Sequence, residues 1–280
     1  MKNKTGIIIW TICIMFTVFM VLSPLYIMFK NSVSDEGSIK RGPGEFEPFF
    51  PKEPTFYYYQ YIAGQRQFLD AFRVSLTVAF LTVIFSIAIG TPAAYVLARR
   101  KFPGKSALLF FMLSIRLFPD ISSVIPVVNV FLTPPLIYLP NIIQVALAHT
   151  LLALPYVLFM STGVFEVIPK DLEEQAYTLG CSRFYTFTRI VMPLAMTGLA
   201  AAAIYTFLLS WNEFVFSYFL MTLTASSAKT LPVMLNNELF GGAASNIMAV
   251  ISVYLSIPVI AFTFLVQKYI QSGMTSGAVK

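Results

Sequence analysis

The stretch Ile168 to Pro193, IPKDLEEQAYTLGCSRFYTFTRIVMP, is the one long segment in the second half of the chain that a bilayer would reject. Apolar runs flank it on both sides. Asp171, Glu173, Glu174, Arg183 and Arg189 would each cost about 2.5–3.5 kcal/mol or more at a membrane centre. The segment is therefore a polar loop between two spans, and its spacing predicts that it is folded. Pro169 suits a helix start, where a missing N–H costs nothing. Asp171, Glu173 and Glu174 then fall in the first turns, near the positive helix end. Leu172, Ala176 and Leu179 recur at i, i+4 and i+7 and predict one narrow apolar face. Gly180 stands where a left-handed C-cap is wanted. Ser182 can cap a second short helix, which Pro193 separates from the next span. Acids on one side and a small residue, Ala176, on the other make a docking element. A helix lying on lipid is the bland alternative. The acidic start argues against it, because an anionic leaflet repels it, and so does the lack of a basic fringe and of a Trp or Phe wedge.

Outward from this loop the chain is apolar. It has 280 residues, 57% hydrophobic and 11% charged, with a net charge of +6. A soluble domain would carry about 25% charged residues. Spans are expected at about 6–29, 72–98, 106–132, 141–165, 194–221 and 246–266. That predicts an all-α membrane protein of six transmembrane helices in a single transmembrane domain. External loops fall at 30–71 and 222–245, the polar loop at 166–193 and a tail at 267–280. The first apolar run is too long for a signal-peptide core. Arg99, Arg100, Lys101 and Lys105, with no acid among them, mark the inner side and place both termini in the cytoplasm. The first external segment is the uneven point. Its Lys30, Lys40, Arg41, Lys52 and Arg66 are offset by Asp35, Glu36, Glu45, Glu47 and Glu53, although acids count little in this rule. Its aromatic run Phe56 to Tyr61 suits an interfacial belt.

Several residues inside the spans invite a functional reading. Pro119 and Pro126 break the third span. Arg116 and Asp120 lie four apart, share a face and should look at protein or water, as an ion pair or as part of a pathway. His149, the single histidine, is read as a hydrogen-bonded packing residue rather than a ligand. Trp211, Asn212 and Glu213 lie near the outer end of the fifth span. An acid at that depth is a pathway candidate, with Trp211 as an interface anchor. Gly198 and Ala200 to Ala203 are small enough for close helix contact. The basic residues cluster at span ends, which is not a nucleic-acid signature. Cys13 and Cys181 form no disulfide framework, and no metal-ligand cluster or G-x-x-x-x-G-K-[ST] phosphate loop occurs.

Glu174-Gln175-Ala176, then Gly180, then Ile190-Val191-Met192-Pro193 resembles the cytoplasmic EAA loop of ABC importer permeases. The family pattern is E-A-A, three residues, Gly, nine residues, I-x-L-P, and every spacing matches. Gln175 replaces the first Ala, Met192 replaces Leu, and Leu179 stands where many members carry Asp, which makes the docking face greasier. Gln267-Lys268-Tyr269 and Gly273-Met274-Thr275-Ser276-Gly277-Ala278-Val279-Lys280 are similar to the ending of sugar permeases. Thr230 to Val233 and Trp211 to Phe214 also look like the smaller, six-span subunit of the maltose-type group. The resemblance implies a type I permease fold and a non-catalytic subunit of a carbohydrate importer in a prokaryotic inner membrane. It also implies a larger homologous permease as heterodimer partner, two ATPase subunits that bind ATP and Mg, an external solute-binding protein and surrounding lipid. This chain itself would hold no cofactor. Asp171, Leu172, Glu173, Glu174, Gln175, Ala176, Leu179, Gly180, Ile190 and Pro193 would couple it to an ATPase. The 222–245 loop would probe the binding protein, and the tail would reach toward the ATPase pair. Arg116, Asp120, Trp211, Asn212 and Glu213 are weaker candidates for lining the pathway. A polyol or glycerol-phosphate solute is the alternative within this architecture. An ATP-independent secondary carrier and a membrane-embedded enzyme are the alternatives from other classes. The docking loop argues against the first, and the lack of evident partners for His149 against the second.

Overall fold

The computed structural model describes residues 4–39, 49–51, 53–224, 227–241 and 244–277. Among them every regular element is helical. Five of the described helices are long and apolar enough to cross a membrane, and six spans result when one bent pair is counted as a span. Lys40, Arg41, Glu45, Glu47 and Lys52 lie outside the described residues, as do Ala278, Val279 and Lys280 at the end of the tail. Contacts divide the chain into two units, residues 1–69 with 234–258 and residues 70–233 with 259–280. Each is described by itself.

In the first unit, α1 (Lys4–Ser32) presents its apolar side chains outward along its whole length. Its hydroxyls do not face hydrocarbon unpaired. Thr11 and Thr17 donate to the carbonyls of Ile7 and Cys13, each at 2.9 Å. The segment expected as an external loop is partly helical, with α2 (Glu36–Ile39) and α3 (Tyr57–Gly64). Thr55 N–H donates to the Val33 carbonyl at 2.7 Å. The aromatic run splits. Phe56, Tyr57 and Tyr61 stay exposed, whereas Tyr59 packs edge-on against Tyr254. Ser32 and Tyr59 hydroxyls lie 2.6 Å apart, and Tyr254 donates to the Tyr59 carbonyl at 3.2 Å.

The helix α4 (Arg66–Arg99) starts six residues before the span expected from Phe72, since residues 66–71 continue its register. The third expected span is not one straight helix. It consists of α5 (Lys105–Ser114), a 3₁₀ turn at Ile115–Leu117 and α6 (Asp120–Phe131), with a bend of 100°. Pro119 makes that bend, because the residue before a proline is pushed to extended backbone, and Phe118 has ψ 136. Pro126 lies inside α6 without interrupting it.

The helix α7 (Asn141–Val167) is the most buried of the apolar helices. A turn at Ile168–Lys170 leads into α8 (Asp171–Thr178), followed by α9 (Arg183–Thr186). The fifth span starts at Arg183 rather than Leu194. A π turn at Phe187–Val191 carries α9 into α10 (Met192–Asn212) without a break. Pro193 therefore does not separate the short helix from the span. A residue lacking an N–H strands a carbonyl one turn upstream, and a widened turn there accommodates it.

The backbone then breaks at Glu213–Phe214 before α11 (Val215–Leu223). The expected second external loop contains α12 (Leu231–Phe240), anchored where buried Leu231 donates its N–H to Ser75 Oγ at 2.7 Å. The last helix, α13 (Ser245–Gly277), runs on through most of the expected tail.

In the second unit the core forms where α7 meets α4, α6, α10 and α11 around Val78, Val124, Val145, Leu152 and Phe216. A second cluster sits near the polar loop, with Ala94, Ala98, Phe165, Val191 and Ala195. The small residues at the start of α10 do bring helices close. A Cβ on Gly198 would lie 2.4 Å from Val164 Cγ2. Gly198→Ala should therefore lower stability by about 1–3 kcal/mol, and adding Val164→Ala should recover most of it. Thermal unfolding of both variants in detergent measures this. No loss in Gly198→Ala would show that the contact is not that tight.

Candidate functional site

The polar loop is built from its ends. α8 closes in a Schellman turn, with Cys181 N–H donating to the Ala176 carbonyl and Gly180 N–H to that of Tyr177, both at 3.0 Å. Gly180 has φ +85 and open space where a Cβ would go, so it is the backbone that asks for glycine there. Ser182 caps α9, its Oγ accepting from Tyr185 N–H at 3.2 Å. Ile190 is half-buried in the π turn, and Pro193 is exposed in the first turn of α10.

The expected apolar face of α8 is not a single face. Ala176 is buried, Leu172 is 37% exposed and Leu179 is 85% exposed. The helix ends at Thr178, so Leu179 is the C-cap residue and its side chain leaves the helical register. The three acids also divide. Glu173 is 5% exposed and points inward, while Asp171 and Glu174 face out with Gln175, Thr178 and Leu179 around a shallow recess of about 540 Å³.

Glu173 is held from α4. Arg99 Nε donates to Glu173 Oε1 at 2.6 Å, and Tyr95 OH donates to Oε2 at 2.5 Å. The two other guanidinium nitrogens, Nη1 and Nη2, donate to the carbonyls of Phe165 at 2.7 Å and Ile168 at 3.1 Å, at the end of α7. Lys105 pairs with Glu166 at 2.5 Å. Beside these contacts lies a groove of about 780 Å³ with Arg100, Lys170, Tyr177 and Arg183 on its walls. Sequence reasoning took Arg99 as one more inner-side cation and passed over Tyr95. Their spacing of four places both on one helix face, but their partner lies more than 70 residues along the chain.

The pathway candidates are not brought together into one surface. Arg116 and Asp120 do pair, at 2.9 Å, but as a strap across the 100° bend rather than along one helix. The guanidinium lies 6.0 Å from the centre of the Tyr156 ring. Trp211 is buried between Phe72 and Phe207, at ring distances of 5.7 and 5.8 Å, and is no interface anchor. Asn212 is exposed and donates to the Leu208 carbonyl at 2.9 Å. Glu213 is 8% exposed and turned into the core. Its carboxylate accepts from Phe216 N–H at 2.7 Å and Ser217 N–H at 3.0 Å, closing the start of α11.

His149 proves to have partners. Its Nε2 lies 2.8 Å from Glu213 Oε2 and 3.1 Å from Ser217 Oγ, and its Nδ1 lies 2.8 Å from Ser210 Oγ. Ser210 in turn donates to Thr82 Oγ1 at 3.2 Å. A serine, a histidine and an acid in contact are the types used in nucleophilic catalysis, but a nucleophile needs an approach for its substrate. All of these groups are buried and bonded to one another and to nearby backbone, which makes a tie between α4, α7, α10 and α11. Among the described residues no group of three or more His, Cys, Asp or Glu could hold a metal.

The fold and loop define a multi-pass helical membrane subunit with a rigid polar elbow between two of its spans. A family model described as "Binding-protein-dependent transport system inner membrane component" matches residues 86–276, and the chain belongs to that family. It is a multi-pass protein of the prokaryotic inner membrane. It is 32% identical over 283 residues to the trehalose transport system permease protein SugB of Mycobacterium tuberculosis, covering 97% of each chain. It is 27% identical to the diacetylchitobiose uptake system permease protein DasC of Streptomyces coelicolor, over 92% of this chain and 91% of the relative. The crystal structure of a bacterial ABC transporter involved in the import of the acidic polysaccharide alginate superposes with a TM-score of 0.73 at 20% identity, covering 95% of this chain and 96% of that one. The fold is that of a type I ABC importer permease.

Glu213→Ala removes the acceptor for two amides, a hydroxyl and the His149 ring at once. It should lower stability by about 3–5 kcal/mol, the cost of breaking a buried pair from one side. Thermal unfolding in detergent reads it, and a loss near zero would show that the cluster is not a tie.

Proposed function

We propose that this chain is the smaller permease subunit of an ATP-driven importer for a disaccharide or oligosaccharide. In this reading it forms half of the translocation pathway beside a larger homologous permease. Two ATPase subunits bind ATP and Mg on the cytoplasmic side, where both termini lie, and an external binding protein delivers the solute. The observation that carries the reading is α8. It is a short helix, tied to α4 through Glu173 and closed by a Schellman turn, that turns Asp171, Glu174, Gln175 and Leu179 outward. Such a surface suits the cleft of a partner.

The trehalose and diacetylchitobiose permeases to which the chain is similar favour a sugar. A phosphorylated solute would call for unpaired cations along the pathway. Arg116 is paired with Asp120 at 2.9 Å, and Arg73 has Asp70 at 3.8 Å. No chemistry is needed in this chain. ATP reorients the membrane subunits only if α8 binds differently in the two arrangements of the ATPases. The elbow then passes that difference to α7 and α10, between which it is strung.

The assembly that copurifies in mild detergent should contain ATPase subunits, and its ATP hydrolysis should rise on titration with a di- or oligosaccharide loaded on the binding protein. Solute accumulation by the purified chain with no ATPase present would instead make it a secondary carrier. Within the assembly, Gly180→Val should abolish ATP-driven uptake into liposomes while leaving insertion intact, because a β-branched residue is strained at φ +85. Gly180→Asn should keep most of the uptake, since asparagine tolerates the left-handed region. Normal uptake by Gly180→Val would defeat the claim.

A further inference from the structure

The deepest contact between α8 and the rest of the chain is not made by either helix the loop connects. It comes from the last turn of α4. Arg99 uses its three guanidinium nitrogens on three groups: the Glu173 carboxylate in the first turn of α8, the Phe165 carbonyl in the last turn of α7, and the Ile168 carbonyl in the turn between them. Tyr95, one turn earlier on the same face, takes the other carboxylate oxygen. The carbonyl end of α7 is a negative pole, which favours a cation there. Both Glu173 oxygens are occupied and its side chain is buried, so it is not available to a partner as Asp171 and Glu174 are. Beside the two donors, Ala94 and Ala98 pack in the same cluster as Phe165, Val191 and Ala195. The end of α4, the end of α7 and α8 therefore form one piece.

We infer that Arg99 is a positioning residue for coupling, which fastens the docking elbow to α4, so that a displacement of α8 drives α4 directly along with α7 and α10. This rests on the reading of α8 as an ATPase-docking element. The fork geometry is what the role requires. A planar guanidinium reaches three acceptors in fixed directions, whereas a lysine ammonium is a point charge on a flexible stem.

The test uses the complete transporter, with its partner permease, ATPases and binding protein, in liposomes. The variants are Arg99→Lys, Glu173→Gln and the double variant Arg99→Met with Glu173→Gln. The double variant removes both charges together and leaves no buried charge unpaired. The readouts are the ATPase content of the purified assembly and the ratio of substrate-stimulated to basal ATP hydrolysis. Expected is an assembly that keeps its ATPases in all three, with the ratio down about tenfold. The double variant should be no worse than the worse single one, since the two side chains act as a unit. An unchanged ratio in Arg99→Lys and in the double variant overturns the inference. Loss of the ATPases from the assembly also overturns it, because Arg99 would then be needed to form the elbow rather than to transmit through it. A wild-type assembly that holds no ATPase defeats the docking reading itself, independently of any variant.

Discussion

A helix interrupted in or beside a bilayer must close its own ends, because hydrocarbon offers the freed N–H and C=O groups nothing. At three of the interruptions among the described residues a charged side chain lies at the break. At the 100° bend, Asp120 begins α6 and pairs with Arg116 across the corner. At Glu213–Phe214, the Glu213 carboxylate accepts the Phe216 and Ser217 amides that open α11. At Ile168, the Arg99 guanidinium covers carbonyls at the end of α7. The signs are not arbitrary. Acids sit at the two helix starts and a cation at the helix end, the arrangement that the backbone dipoles favour.

That pattern changes how polar residues in the spans are read. In a sequence, a charge deep in an apolar run looks like part of a solute pathway. Here Glu213 and the Arg116–Asp120 pair hold broken helices together, and any role toward solute comes on top of that. Several hydroxyls are closed locally in the same way. Thr82, Thr150, Thr162 and Thr206 each donate to the carbonyl four residues back, at 2.7–2.9 Å. These four threonines are satisfied by the backbone of their own helices.

What one sequence could tell, and what it could not, divides along the distance between partners. The polar elbow, the left-handed turn at Gly180, the cap at Ser182 and the close contact at Gly198 all depend on neighbours a few residues away or on residue size, and the structure has each of them. Proline was ambiguous, because Pro119 bends its helix while Pro126 and Pro155 ride inside theirs. His149 looked isolated because its partners stand 61 and more residues away on two other elements. Trp211 looked like an anchor because its sequence neighbours are polar, yet Phe72 and Phe207 enclose it. Glu173 and Glu174 are adjacent and of like chemistry, and only the presence of Arg99 behind one of them tells them apart.

The eight residues of α8 are too few to be a stable helix alone. Its order comes from backbone closure. The Glu173 and Glu174 amides donate to the Lys170 carbonyl at 2.9 and 3.1 Å, the Schellman turn closes the last turn, and the Ser182 cap starts a helix that runs without a break into α10, while the Arg99–Glu173 clamp sets where α8 sits against α4. The outward face, with Glu174 and Leu179 exposed, takes no part in these closures. A surface fixed entirely from behind is already in its binding shape before a partner arrives. In the proposed docking to an ATPase, binding loses little conformational entropy, and more of the contact energy remains to favour one ATPase arrangement over the other. An elbow ordered by its partner would absorb part of each displacement by bending, whereas one already folded and fastened to α4 and α7 would, in the proposed coupling, pass the displacement on to the spans.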